Sequence, residues 1–70
     1  MSQIAPDFAY YGASAISHEG VHLLGGGEYP AYQRQDAVLH GFKSFFQSSD
    51  LYKTLDDSVE EGIKASAPQR

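Results

Sequence analysis

The chain contains no cysteine. Neither a disulfide framework nor a thiolate metal site is therefore available to support its fold, and the absence agrees with a reducing compartment. Basic residues are also few. Arg34, Lys43, Lys53, Lys64 and Arg70 lie scattered against nine acidic residues, leaving a formal charge of −4. Binding to nucleic acid depends on clustered lysine and arginine displacing counterions from phosphate, so this composition disfavours such a partner. No apolar run approaches the roughly 20 residues needed to cross a bilayer, so no membrane role is expected. Met1 to Asp7 lack the basic start and apolar stretch of a secretory signal, which makes the cytoplasm the default location. There is no internal repeat, low-complexity tract or charge block. Only Ile4 to Tyr11 offers even a short strand candidate.

What is present is a chain of 70 residues, read as a single small domain or a domain fragment. A chain this short buries only about 60% of its unfolded surface, so its core is marginal. Metal held by histidine and carboxylate is the remaining staple, and it would tie folding to metal binding.

The patterning predicts about three helices, over 8–24, 29–47 and 51–64, and therefore an all-α fold. Pro6 and Asp7 initiate the first helix, with Asp7 as its N-cap. Gly12 and Gly20 each weaken it by up to about 1 kcal/mol relative to alanine, and Gly25, Gly26 and Gly27 end it. Pro30 belongs in the first turn of the second helix, where a missing N–H costs nothing. That helix turns Ala31, Gln35, Leu39, Phe42 and Phe46 inward at steps of three or four. The run Ser48, Ser49, Asp50 reads as a break followed by an N-cap. Leu51, Leu55, Val59 and Ile63 then form one stripe at i+4 spacing. The tail, Ala65 to Arg70, contains Pro68 and is expected to fray.

One motif carries chemistry. Within Ile16-Ser17-His18-Glu19-Gly20-Val21-His22 stands HExxH. Four helical residues turn the chain by about 400°, so His18 and His22 share one face and both can reach one zinc ion. Glu19 points about 100° away from His18. It is placed to take a proton from metal-activated water, the general-base role of a metallopeptidase, rather than to ligate. A catalytic zinc takes a third protein ligand. Glu28, six residues past His22 and across the glycine turn, is the first candidate. Its competing reading is an acidic residue favoured at a helix N-terminus. Asp36 and His40 are weaker candidates, since an i, i+4 pair of this kind is more often simply surface. Gln35 or Asp36 is a candidate to orient a ligand histidine through its other ring N–H. Tyr10, Tyr11, Tyr29 and Tyr32 could serve an oxyanion, though packing with the hydroxyl outward is the commoner use. Phe42, Phe45 and Phe46 read as core aromatics, and exposure of all three would mark a missing partner.

The stretch from His18 to Asp36 resembles the active-site segment of zincin metallopeptidases. It is most similar to gluzincin-like domains of bacterial toxins and effectors, in which a glutamate heading a second helix follows HExxH, as in Glu28-Tyr29-Pro30-Ala31-Tyr32. The resemblance implies Zn2+ as cofactor, His18, His22 and Glu28 as its ligands, and Glu19 as catalytic base. It also implies a peptide or protein substrate. The chain departs from the thermolysin-type pattern, whose third glutamate stands much further downstream in an E-x-x-x-D helix. Only 17 residues precede His18, too few for the sheet that zincins place before this helix. The expectation is thus the helical active-site half of a zincin without its sheet: a zinc-dependent metallopeptidase-like domain, truncated or inactive. Association with an upstream region or with a second copy of the chain would complete it. The alternative is a small helical interaction module without catalysis.

Overall fold

The structure, a computed structural model, describes residues 5–68. The N-terminal residue Ile4 of the strand candidate and the last two residues of the tail lie outside the described residues. Three α-helices follow in order: α1 (Ala5–Leu23), α2 (Glu28–Gly41) and α3 (Ser49–Ser66), with a 3₁₀ turn, Lys43–Phe45, between the last two. Among the described residues there is no strand, so the fold is all-α as expected. Helix α2 lies between the other two, which touch each other little.

Asp7 does not cap α1. It sits inside the first turn, fully buried, and its carboxylate reaches across to the approach of α3. Oδ1 accepts the Gln47 N–H at 2.7 Å and Oδ2 accepts the Ser48 N–H at 2.9 Å. These backbone donors precede a helix and have no helical partner of their own, so a carboxylate that satisfies both ties the two chain segments together.

At its other end α1 stops in a Schellman turn. The Gly26 N–H reaches the Val21 carbonyl at 2.8 Å and the Gly25 N–H reaches that of His22 at 2.9 Å. Gly25 has φ +90°, a left-handed conformation that glycine adopts without a Cβ penalty. The chain is thereby reversed within four residues, and α2 starts at Glu28 with extended Gly27 before it.

Helix α2 ends at Gly41, six residues before the expected 47. The reason is tertiary. Tyr10 of α1 stacks on Phe42 at 5.0 Å, and Phe46 meets Tyr52 of α3 edge-on at 5.1 Å. Tightening to a 3₁₀ turn swings Phe46 from the line of α2 toward α3, so the chain can turn back while both rings remain packed. Phe42 and Phe46 are half-buried and Phe45 is largely exposed. Ser48 is the N-cap of α3, accepting the Leu51 N–H at 3.0 Å, so α3 starts two residues ahead of the expected Leu51. It also runs on through Ser66, so Ala65 and Ser66 are helical rather than frayed.

The apolar core is small: Leu39, Tyr52 and Val59, with Tyr11, Tyr32, Phe46, Leu55 and Ile63 packed around them. Ala31, Gln35 and Leu39 face inward on α2 as the spacing predicts, and Val59, Leu55 and Ile63 do so on α3. Tyr52 was not anticipated. Among the described residues of α1 the buried ones are polar, namely Asp7, Ser14 and His18, whereas Ile16 and Leu23, with Leu24 just past the helix, are 73%, 88% and 90% exposed. Ser14 is satisfied locally, its hydroxyl donating to the Tyr11 carbonyl at 2.6 Å.

Two predictions follow from this packing. Asp7→Ala strands two backbone donors and should lower stability by about 2–3 kcal/mol in a denaturant melt, as for other lost charge-assisted bonds. Glycines should divide by their surroundings. A Cβ at Gly12 meets nothing within 4 Å, while one at Gly62 would lie 2.4 Å from the Tyr32 ring. Gly12→Ala should therefore stabilise α1 by about 0.5–1 kcal/mol, and Gly62→Ala should lower the melting temperature by displacing Tyr32. Equal effects of the two substitutions would contradict this packing.

Candidate metal centre

His18 and His22 stand one turn apart on α1, and the glycine turn carries Glu28 back toward them. Their Nε2 atoms are 3.2 Å apart, and His18 Nε2 lies 3.2 Å from Glu28 Oε1. His22 Nε2 contacts the same carboxylate oxygen still more closely.

Each imidazole is held by its other nitrogen. His18 Nδ1 faces Gln35 Oε1 at 2.9 Å, and His22 Nδ1 faces the Gly26 carbonyl at 3.0 Å. Both partners are acceptors, so both Nδ1 atoms carry protons and donate. In the neutral rings this leaves each Nε2 as a bare lone pair directed at Glu28. Three acceptors then converge with no proton of their own to share. Ligands about 2.0–2.1 Å from a tetrahedral zinc stand about 3.3 Å apart, which matches the two 3.2 Å separations. The donor set of two imidazoles and one carboxylate also fits zinc in chemical type.

The hydrogen bond to Glu28 above all, then that to Gly26, raises the His22 pKa above its ordinary 6.5. The same bond to His22 lowers Glu28 below 4.5.

His18 is the most deeply set of the three, 8% exposed. Tyr32 packs edge-on against its ring at 4.5 Å, and Tyr32 in turn lies over the bare backbone of Gly62. Glu19 is exposed and not part of the convergent set. It lines a shallow cavity of about 260 Å³ beside His18, together with Tyr11, Tyr32, Gln35 and Val59. Of the tyrosines read from the sequence, Tyr11 and Tyr32 border this cavity, whereas Tyr10 stacks on Phe42.

Asp36 and His40 do not join His18 and His22. They gather with Asp56 and Glu60 of α3 in a second cluster. Burial first, then a hydrogen bond shared with Asp56, pushes the Asp36 pKa up to about 6. No sequence signal marked Asp56 and Glu60, because their proximity to α2 depends on how two helices pack.

Gln35 acts on the centre through His18 rather than by direct contact. Gln35→Leu keeps similar volume but removes the acceptor, and zinc affinity should fall about 10–100-fold, as for lost partners of ligand histidines. Gln35→Glu, which restores an acceptor, should recover most of the loss. Competition with a chromophoric chelator measures both, and an unchanged affinity in Gln35→Leu would remove Gln35 from the site.

Comparison of the chain with protein-family models, with curated proteins and with solved structures finds no match. The resemblance to zincins rests on its own residues.

Proposed function

We propose that the chain binds one zinc ion through His18, His22 and Glu28 and that this centre is of the peptide-hydrolysing type, with Glu19 as general base. The observation that carries the reading is the convergence of both Nε2 atoms on Glu28 while Gln35 and Gly26 hold both Nδ1 atoms. Zinc bound there supplies Lewis acidity and lowers the pKa of water to about 7.

The remaining chemistry belongs to the chain. Glu19 follows His18 directly, and its carboxylate stands free of the ligand set at the edge of the cavity. It is the group available to accept a proton from water and pass it to a leaving amine. Tyr32 and Gln35 fix His18, which keeps the centre in one geometry. Alignment of the scissile bond is less well provided. The cavity of about 260 Å³ is smaller than the roughly 300–1,000 Å³ of typical ligand sites. Among the described residues no strand edge is present to pair with a peptide. That edge would have to come from a segment other than these helices.

A second reading, a helical interaction module, is favoured by the exposed Ile16 and Leu23 on α1 and Leu24 in the turn after it. Metal content separates the two readings. Chelator-stripped protein given zinc and desalted should retain an equivalent that His18→Ala/His22→Ala loses. Glu19→Gln should retain it and Glu28→Gln should hold it more weakly. Wild-type protein that keeps no more zinc than the double histidine variant would sink the metal reading. Affinity should fall as pH is lowered through the histidine range, and the fall should begin above 6.5 because Glu28 raises His22.

Positioning supplies a large part of an enzyme's rate. The zinc-loaded chain by itself should therefore cleave peptides slowly or not at all. Rapid cleavage that disappears in Glu19→Gln would show that the shallow cavity suffices.

A further inference from the structure

Helix α2 presents a second ladder of metal-binding side chains on the side that meets α3. Asp36 and His40 are separated by one turn, and so are Asp56 and Glu60 on α3. One ligand atom from each of the four lies within 4.8 Å of every other. Two ligands on opposite sides of an ion stand about 4.4 Å apart at ordinary bond lengths. Neighbouring ligands stand about 3.3 Å apart, and His40 Nε2 already lies 3.3 Å from Asp36 Oδ1 and 3.1 Å from Asp56 Oδ1.

The cluster is short of positive charge and of donors. His40 Nε2 makes its hydrogen bond to Asp56 Oδ1 at 3.1 Å. The same nitrogen is 3.3 Å from Asp36 Oδ1, yet that oxygen is buried and has no hydrogen-bond partner. One imidazole N–H cannot serve both carboxylates. A second, independent feature lies beside the same place. Tyr52, 7% exposed, carries a hydroxyl that is buried with no partner. Its ring lies 6.4 Å from that of His40. A buried hydroxyl without a partner is rare, because it forfeits its hydration for nothing in return. Beside it opens a groove of about 390 Å³, lined by Tyr52, Asp56, Lys43 and Lys53 among others, which meets the cluster at Asp56.

We propose that Asp36, His40, Asp56 and Glu60 form a second divalent-metal site that clamps α2 to α3, with Tyr52 beside it. Three carboxylates and one imidazole make a harder donor set than the two imidazoles and one carboxylate of the first centre. They suit Mn2+ or Fe2+ as well as zinc. Designed and natural helical metalloproteins bind metal through carboxylates and histidines at helical spacing on facing helices, which is the pattern here. The site is independent of the HExxH centre, since it shares no ligand with it.

The test uses the full chain, stripped with chelator and titrated with Mn2+ while the ring proton signals of histidine and tyrosine are recorded. Paramagnetic broadening should reach His40 and Tyr52 at substoichiometric Mn2+, before His18 and His22 respond. The melting temperature should rise by several degrees at saturating metal. In Asp56→Asn/Glu60→Gln and in His40→Ala the bound equivalent and the thermal shift should both be lost. Sharp His40 and Tyr52 signals in the wild type, or broadening confined to His18 and His22, would overturn the proposal without any variant being needed. Mn2+ retention equal in the wild type and in both variants would overturn it as well. Failure of zinc binding at His18 and His22 leaves the expected broadening at His40 unchanged, so the two sites are judged separately.

Discussion

A single buried hydrogen bond, from His18 Nδ1 to Gln35 Oε1, sets much of what this chain can do. It fixes the ring proton on Nδ1 and so directs the Nε2 lone pair toward Glu28. It also fixes α1 on α2, because both residues are buried and neither has room to swing outward. The neighbouring interior groups on α1 are small or already satisfied. Ser14 returns its hydroxyl to its own helix, and Asp7 accepts two backbone N–H groups at the far end. The buried positions described on α1 are therefore polar. A polar seam is directional: each contact works in one register, and a shift of one turn would leave His18, Gln35 and Asp7 unpaired at a cost of about 1–3 kcal/mol each.

The consequence appears on the other side of the helix. Ile16, Leu23 and Leu24 face solvent, although burying a leucine contributes roughly 1.5–3 kcal/mol. A helix serving only stability would present Ile16 and Leu23 to α2. Helix α1 instead gives its inward positions to groups that orient a histidine and tie down a loop. With Leu39, Tyr52, Val59 and Ala31 as the buried apolar residues among those described, such an arrangement leaves a narrow margin. Ligands bound to the native state would widen it by mass action.

The parts of this arrangement that were legible in the sequence are those decided within about ten residues. HExxH spacing puts two histidines on one helical face wherever the helix forms. The glycine run after Leu24 reverses the chain, and the distance from His22 to Glu28 then follows from the length of that turn. The stripe through Val59 was equally visible, since i+4 spacing needs no tertiary information. What escaped depends on how the helices lie on one another. Asp7 looks like an N-cap because aspartate ahead of a helix usually is one; its real partners, at Gln47 and Ser48, are some forty residues distant. Helix α2 stops early because Tyr10 and Tyr52 hold Phe42 and Phe46 in place, and no periodicity in 29–47 records those rings. Asp36 and His40 read as surface for the same reason: their significance comes from Asp56 and Glu60, which only the packing of α3 brings near.

Helix α2 is then the element through which these features meet. Gln35 reaches α1 and the HExxH histidines, while the adjacent Asp36 reaches α3. Successive helical residues point about 100° apart, so a central helix can address two neighbours from adjacent positions. Between them Ala31 and Leu39, both fully buried, allow close approach on either side. The two ligand ladders differ in what they demand of the backbone. His18, His22 and Glu28 are joined by a turn of α1 and a glycine reversal, so their geometry survives as long as that short segment is folded. Asp36, His40, Asp56 and Glu60 come from two helices and assemble only when α2 and α3 are docked. A cation at the first centre would stabilise a local turn, whereas one at the second would stabilise tertiary structure. Because Gln35 and Asp36 are neighbours on one rigid helix, docking α3 correctly also holds the acceptor that orients His18.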